Sequence, residues 1–166
     1  MGKFVLSKMF LKQFAPAIVF GALLSMPAIG EPERPLSPVT VTLSSNAKSI
    51  SPGQKIKMTV LLQMQPDWHI YYKDPGQTGL PTQVLWKLPP GFVAGPLQWQ
   101  PHETFVDSGI KTYGYKNKTT MTADIVAPKQ LQRGQTCRIA ATVKWLACKH
   151  SCIPGDASVA VSLLVQ

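Results

Sequence analysis

Apolar and polar side chains alternate along most of this chain, and that alternation restricts the fold more than any other feature. Val39, Val41 and Leu43 are separated by Thr40, Thr42 and Ser44. After a turn signal at Ser51, Pro52 and Gly53, the apolar residues Ile56, Met58, Val60, Leu62 and Met64 recur at every second position. A period of two puts successive side chains on opposite faces, so each segment predicts a half-buried strand. Further strand candidates are Trp68–Tyr72, Val84–Leu88, Leu97–Trp99, Met121–Val126, Arg138–Leu146 and Ala157–Val165. Pro and Gly punctuate them at Pro75–Gly76, Pro89–Gly91 and Gly95–Pro96. Short strands without helical periodicity predict an all-β, antiparallel β-sandwich forming a single domain.

The amino terminus follows a different pattern. Lys3, Lys8 and Lys12 form a basic region without acidic residues, Phe14–Met26 is largely apolar, and Ala28, Ile29 and Gly30 supply small residues at the cleavage spacing. These features predict a secretory signal peptide over 1–30 and, because the apolar run is short and broken by Pro16 and Pro27, no stable membrane span after cleavage. Residues 31–38, with three prolines, read as an extended leader, and 39–166 as the domain. Removing the three lysines lowers the formal net charge from +9 to +6, spread as single Lys and Arg residues. Without a basic run or a recognition motif, nucleic acid is not an expected partner. An exported chain that keeps cysteines faces an oxidising space.

Two of the three cysteines, Cys148 and Cys152, stand four residues apart in WLACKHSCIPG. An extended segment would hold their Cα atoms about 13 Å apart, whereas a disulfide needs roughly 4.4–6.8 Å, so a bond requires a bend. Lys149, His150 and Ser151 would form a tight loop, with Pro154–Gly155 as a turn signal. A closed loop of about five residues stabilises a fold by only about 2 kcal/mol, which makes the pair a poor staple. The third, Cys137, shares a strand face with Ile139, Ala141, Val143 and Trp145 and is expected to be a buried, inert thiol; resolving a mixed disulfide or pairing with Cys148 is its functional alternative. Trp68, Trp86 and Trp99 read as packing residues, and His69 and His102 as surface or hydrogen-bonded histidines.

With WLACKHSCIPG, the segments DWHIYYKDPGQTGLPTQVLWKLPPG (67–91) and GIKTYGYKN (109–117) resemble the amino-terminal periplasmic domain of DsbD-type thiol:disulfide interchange proteins. The resemblance runs over essentially the whole predicted domain and is greatest to the form whose two cysteines are separated by three residues. It implies an immunoglobulin-like sandwich carrying a redox-active pair, Cys148 and Cys152, with Cys152 bonding to partners and Cys148 resolving. It also implies thioredoxin-like donor or acceptor proteins as partners and no cofactor. A cap loop shielding the disulfide would fall near His102–Asp107, with Phe105 as the shielding ring and Glu103 placed to handle a proton. Tyr71, Tyr72, Tyr113, Tyr115 and His150 become candidates for the site rim. DsbD-type proteins continue into a membrane domain and a thioredoxin-like domain, whereas this sequence ends at Gln166; the expectation is a separate membrane reductase.

Two other readings remain open at this stage. Cys148, His150 and Cys152 alternate, so an extended segment would present all three on one face, a soft donor set suited to Cu(I) or Zn(II). Alternatively, the bond is a passive clip in a structural sandwich.

Overall fold

The computed structural model describes residues 37–166, in which all regular structure is strand. The expected signal peptide (1–30) and residues 31–36 of the expected leader lie outside the described residues. In chain order the strands are β1 (Val39–Ser45), β2 (Ser49–Ile50), β3 (Lys55–Met64), β4 (His69–Gly76), β5 (Gln83–Lys87) and β6 (Val93–Ala94). They continue as β7 (Gln98–Trp99), β8 (Glu103–Asp107), β9 (Ile110–Lys116), β10 (Lys118–Val126), β11 (Thr136–Cys148) and β12 (Cys152–Val165). Among the described residues no helix is long and apolar enough to cross a membrane.

The strands form two sheets. One runs β1-β3-β10-β6, with β7 also on β10; the other runs β2-β12-β11-β4-β9-β8, with β5 also on β11. All the pairings are antiparallel except the short contact of β2 with β12. Alternation decides which faces meet. Ile56, Met58, Val60, Leu62 and Met64 of β3 point inward, against Cys137, Ile139, Ala141, Val143, Trp145 and Ala147 of β11 in the opposite sheet. Burying one such Val, Leu or Ile side chain contributes about 1.5–3 kcal/mol, which fixes the register, because a slip by one residue would turn a whole strand's apolar set outward.

Three local expectations change. Pro154–Gly155 does not turn the chain; both residues lie in β12, opposite Leu146 and Trp145 of β11. The turn comes earlier, at Lys149–Ser151, where the Lys149 N–H donates to the Ser151 carbonyl at 3.1 Å. Gly155 is needed because the Trp145 indole lies on it: a Cβ there would stand 2.7 Å from the indole nitrogen. Pro154 is tolerated because β12 is unpaired there on its other side, and an edge strand can spare the missing N–H. Pro75–Gly76 likewise stays in a strand, at the end of β4, where the register with β9 shifts between Tyr71 and Gly76. Finally, the segment expected as a cap loop is mostly strand. β8 and β9 form a hairpin closed by Ser108 (φ 50°) and Gly109 (φ 84°), the two left-handed residues that a tight type I′ turn needs.

Candidate functional site

The longest hairpin carries the cysteines. β11 ends at Cys148 and β12 begins at Cys152; the two are direct ladder partners, bonded to each other, with Cα atoms 4.1 Å apart. The Lys149 ammonium reaches 3.0 Å to the Asp67 carboxylate in the β3–β4 turn, which ties the hairpin tip to the neighbouring strand. Cys148 is 4% exposed, whereas Cys152 is exposed. Cys137 lies eleven positions back on the opposite face of β11, buried in the core as a free thiol. Eleven strand residues span about 36 Å, so Cys137 has no part in this site.

Cys148 is buried although it lies on the outer face of its sheet, because β4, β9 and β8 extend that sheet and supply a cover. His69 is the direct ladder partner of Cys148. Two residues on, and therefore on the same face, the Tyr71 hydroxyl donates to Cys148 Sγ at 3.5 Å. Phe105 reaches back from β8 until its ring centroid stands 5.0 Å from that of His69, with Lys116 Nζ 4.9 Å from the Phe105 centroid. Gly114 on β9 makes that reach possible: a Cβ there would lie 3.1 Å from the Phe105 ring and would overlap the Ile70 carbonyl oxygen. The result is a recess of about 370 Å³ lined by His69, Tyr71, Phe105, Asp107 and Thr112 around Cys148 and Cys152. Burial, reinforced by the nearby Lys116 charge, holds His69 below its ordinary value of 6.5 and so keeps the imidazole neutral at pH 7. Burial raises the Tyr71 hydroxyl, which therefore remains a donor.

Over residues 38–163 the chain matches the family described as "Thiol:disulfide interchange protein DsbD, N-terminal". The chain belongs to this family. Its fold resembles that of the N-terminal periplasmic domain of ScsB from Proteus mirabilis, with a TM-score of 0.56 and 17% identity over 79% of this chain and 48% of that one. This chain thus spans about half the length of that relative. The N-terminal domain of Neisseria meningitidis DsbD in the reduced form aligns with a TM-score of 0.46 and 14% identity, over 75% of this chain and 85% of the other. No curated protein matches the sequence significantly. The expected family and the immunoglobulin-like sandwich are therefore established, and membership implies thiol–disulfide exchange as the class of chemistry.

Against this DsbD-type background, the residues singled out in the sequence divide between two faces. Phe105 and Tyr71 meet at the cysteines, and His150 lines the recess from the exposed turn. Tyr72, Tyr113 and Tyr115 do not. Tyr72 alternates with Tyr71, and Tyr113 and Tyr115 alternate with Thr112 and Gly114, so all three point to the opposite face. There Tyr72 packs against Trp99 at 5.4 Å and Tyr115 at 6.1 Å, and His102 sits between Tyr72 at 4.7 Å and Tyr113 at 4.8 Å. The Tyr115 hydroxyl donates to the Gln100 carbonyl at 2.8 Å. Glu103 is exposed and lines a separate depression with Tyr115 and Lys116, so the carboxylate lining the cysteine recess is Asp107. The extended Cys148-His150-Cys152 face needed for a soft-metal set is replaced by the hairpin, and among the described residues no group of three or more His, Cys, Asp or Glu is placed to hold a metal. Sequence reasoning passed over His69. The available signal was its alternation with Ile70, a core residue, which turns His69 to the face of Tyr71.

Proposed function

We propose that this chain is a periplasmic dithiol/disulfide shuttle that takes two electrons from a thioredoxin-like domain of a membrane reductase system. It passes them to periplasmic disulfide acceptors, such as disulfide isomerases or cytochrome c maturation proteins. The observation that carries this reading is the asymmetry of the bonded pair: Cys152 is open to a partner, and Cys148 is buried beneath Tyr71 and beside Phe105.

On reduction a donor thiolate attacks Cys152 Sγ, the Cys148–Cys152 bond breaks, and Cys148 leaves as a thiolate that receives the Tyr71 hydroxyl hydrogen bond. The donor's second thiol then displaces Cys152. In the delivering direction the Cys152 thiolate attacks the acceptor disulfide, Cys148 attacks Cys152 Sγ, and the acceptor departs as a dithiol while the internal bond re-forms. Each cycle moves two electrons and two protons.

Trapping tests the assignment of roles. A Cys148→Ser chain should accumulate mixed disulfides through Cys152 with thioredoxin-like proteins of the periplasm, and a Cys152→Ser chain should not. Equal trapping by both variants, or by neither, would refute it.

A further inference from the structure

We propose that His69 is the proton acceptor for Cys148, taking the thiol proton as that sulfur closes on the mixed disulfide at Cys152; the proposal rests on the exchange reading above. A thiol as buried as Cys148 is a poor nucleophile until it loses its proton, and burial disfavours the thiolate. A base is therefore needed inside the recess. His69 is the direct ladder partner of Cys148, and such partners carry Cβ atoms about 4.5–5.5 Å apart on the same face. Its ring is held at the edge of Tyr71, 5.5 Å between centroids, and against Phe105 at 5.0 Å, so the imidazole is oriented before the reaction begins.

The other titratable groups facing His69 are less suited. From β9, Lys116 is a cation whose charge lies over the Phe105 ring. From the hairpin tip, Lys149 is paired with Asp67, and His150 is exposed on the turn. From β8, Asp107 is exposed beside the Ser108–Gly109 turn. On β4 itself, Tyr71 serves as a donor to the sulfur. His69 alone combines partial burial, a ladder position opposite Cys148 and a neutral imidazole at pH 7.

The step balances. The Cys148 proton passes to an imidazole nitrogen while its sulfur bonds to Cys152 Sγ. The bond from Cys152 to the acceptor sulfur breaks, and that sulfur leaves with the electron pair. The imidazolium then protonates it or returns the proton to water. In the reducing direction Cys148 departs as the thiolate held by Tyr71, and the imidazole relays a proton to it from water.

The test uses the reduced chain and an aromatic disulfide reagent that releases a coloured thiolate in two phases, one for attack by Cys152 and one for closure by Cys148. The closure rate of the native protein should rise with pH to a plateau, with its midpoint below 6.5. In His69→Gln the midpoint should move to the thiol range of about 8.5 or above, slowing closure at pH 7 about a hundredfold and leaving the first phase unchanged. An unchanged closure profile in His69→Gln overturns the proposal. If that variant does not fold, a native midpoint above about 8 overturns it as well. Release of no thiolate, or of a single equivalent, by the native protein overturns the exchange reading and this proposal together, and is told apart by its missing phase.

Discussion

Reducing the Cys148–Cys152 bond should leave the sandwich folded and only modestly less stable. The bond closes a loop of five residues, Cys148 to Cys152. For a loop of that size the unfolded chain regains about 7 cal/mol/K on reduction, or about 2 kcal/mol at room temperature. Nothing else in the fold depends on the bond, because β11 is paired with β12 along all 13 of its residues and the ladder brings both cysteines together unaided. With a urea m-value of about 2 kcal/mol/M, the midpoint should fall by about 1 M at unchanged m. By the same cycle, folding biases the couple towards the disulfide by only about 40 mV relative to the unfolded chain. Urea unfolding of the oxidised and reduced proteins, followed by tryptophan fluorescence, checks this. A reduced protein that is unfolded, or that has lost about 5 kcal/mol or more, would show that the bond holds the fold and that the loop-size reasoning is wrong.

Phe105→Ala should uncover Cys148 and speed reduction of the bond by a small thiol several-fold; an unchanged rate would show that the ring does not shield it. Gly114→Ala drives a Cβ into the Ile70 carbonyl oxygen and towards the Phe105 ring, and should cost about 1–3 kcal/mol in urea unfolding. A change within about 0.5 kcal/mol would refute the close approach. Tyr115 is pushed up to about 12 by burial and by Tyr72. The folded state thus favours its neutral form, so its contribution to stability is complete below pH 10 and is lost as pH rises through about 12. Urea midpoints between those limits should fall more steeply for the native protein than for Tyr115→Phe.

The sandwich was legible because β1, β3, β10 and β11 each bury one face, so their alternation survives in the sequence. Glu103–Asp107 offered no such signal. It forms the edge strand of its sheet, and Phe105 is its one half-buried side chain. Pro154–Gly155 misled for a non-local reason: the glycine answers to Trp145 across the ladder, and the proline sits where β12 has a free edge. Spacing and resemblance pointed to Cys148, Cys152 and Phe105, which the fold brings to one recess. The choice among the tyrosines depended on which of two adjacent residues faced the core, and Ile70, wholly buried, settles it for Tyr71 over Tyr72. His69 lay deeper still, since its meaning depends on the register between β4 and β11, a contact between segments nearly eighty residues apart.

Equilibrating the purified chain with glutathione and dithiothreitol redox buffers, and reading the fraction of Cys148–Cys152 bonded, measures the couple directly. A shuttle requires a reversible two-electron couple in the range of exchange proteins, between about −270 and −120 mV. A potential below about −300 mV, the range of structural disulfides, would contradict the shuttle and leave the bond a passive clip.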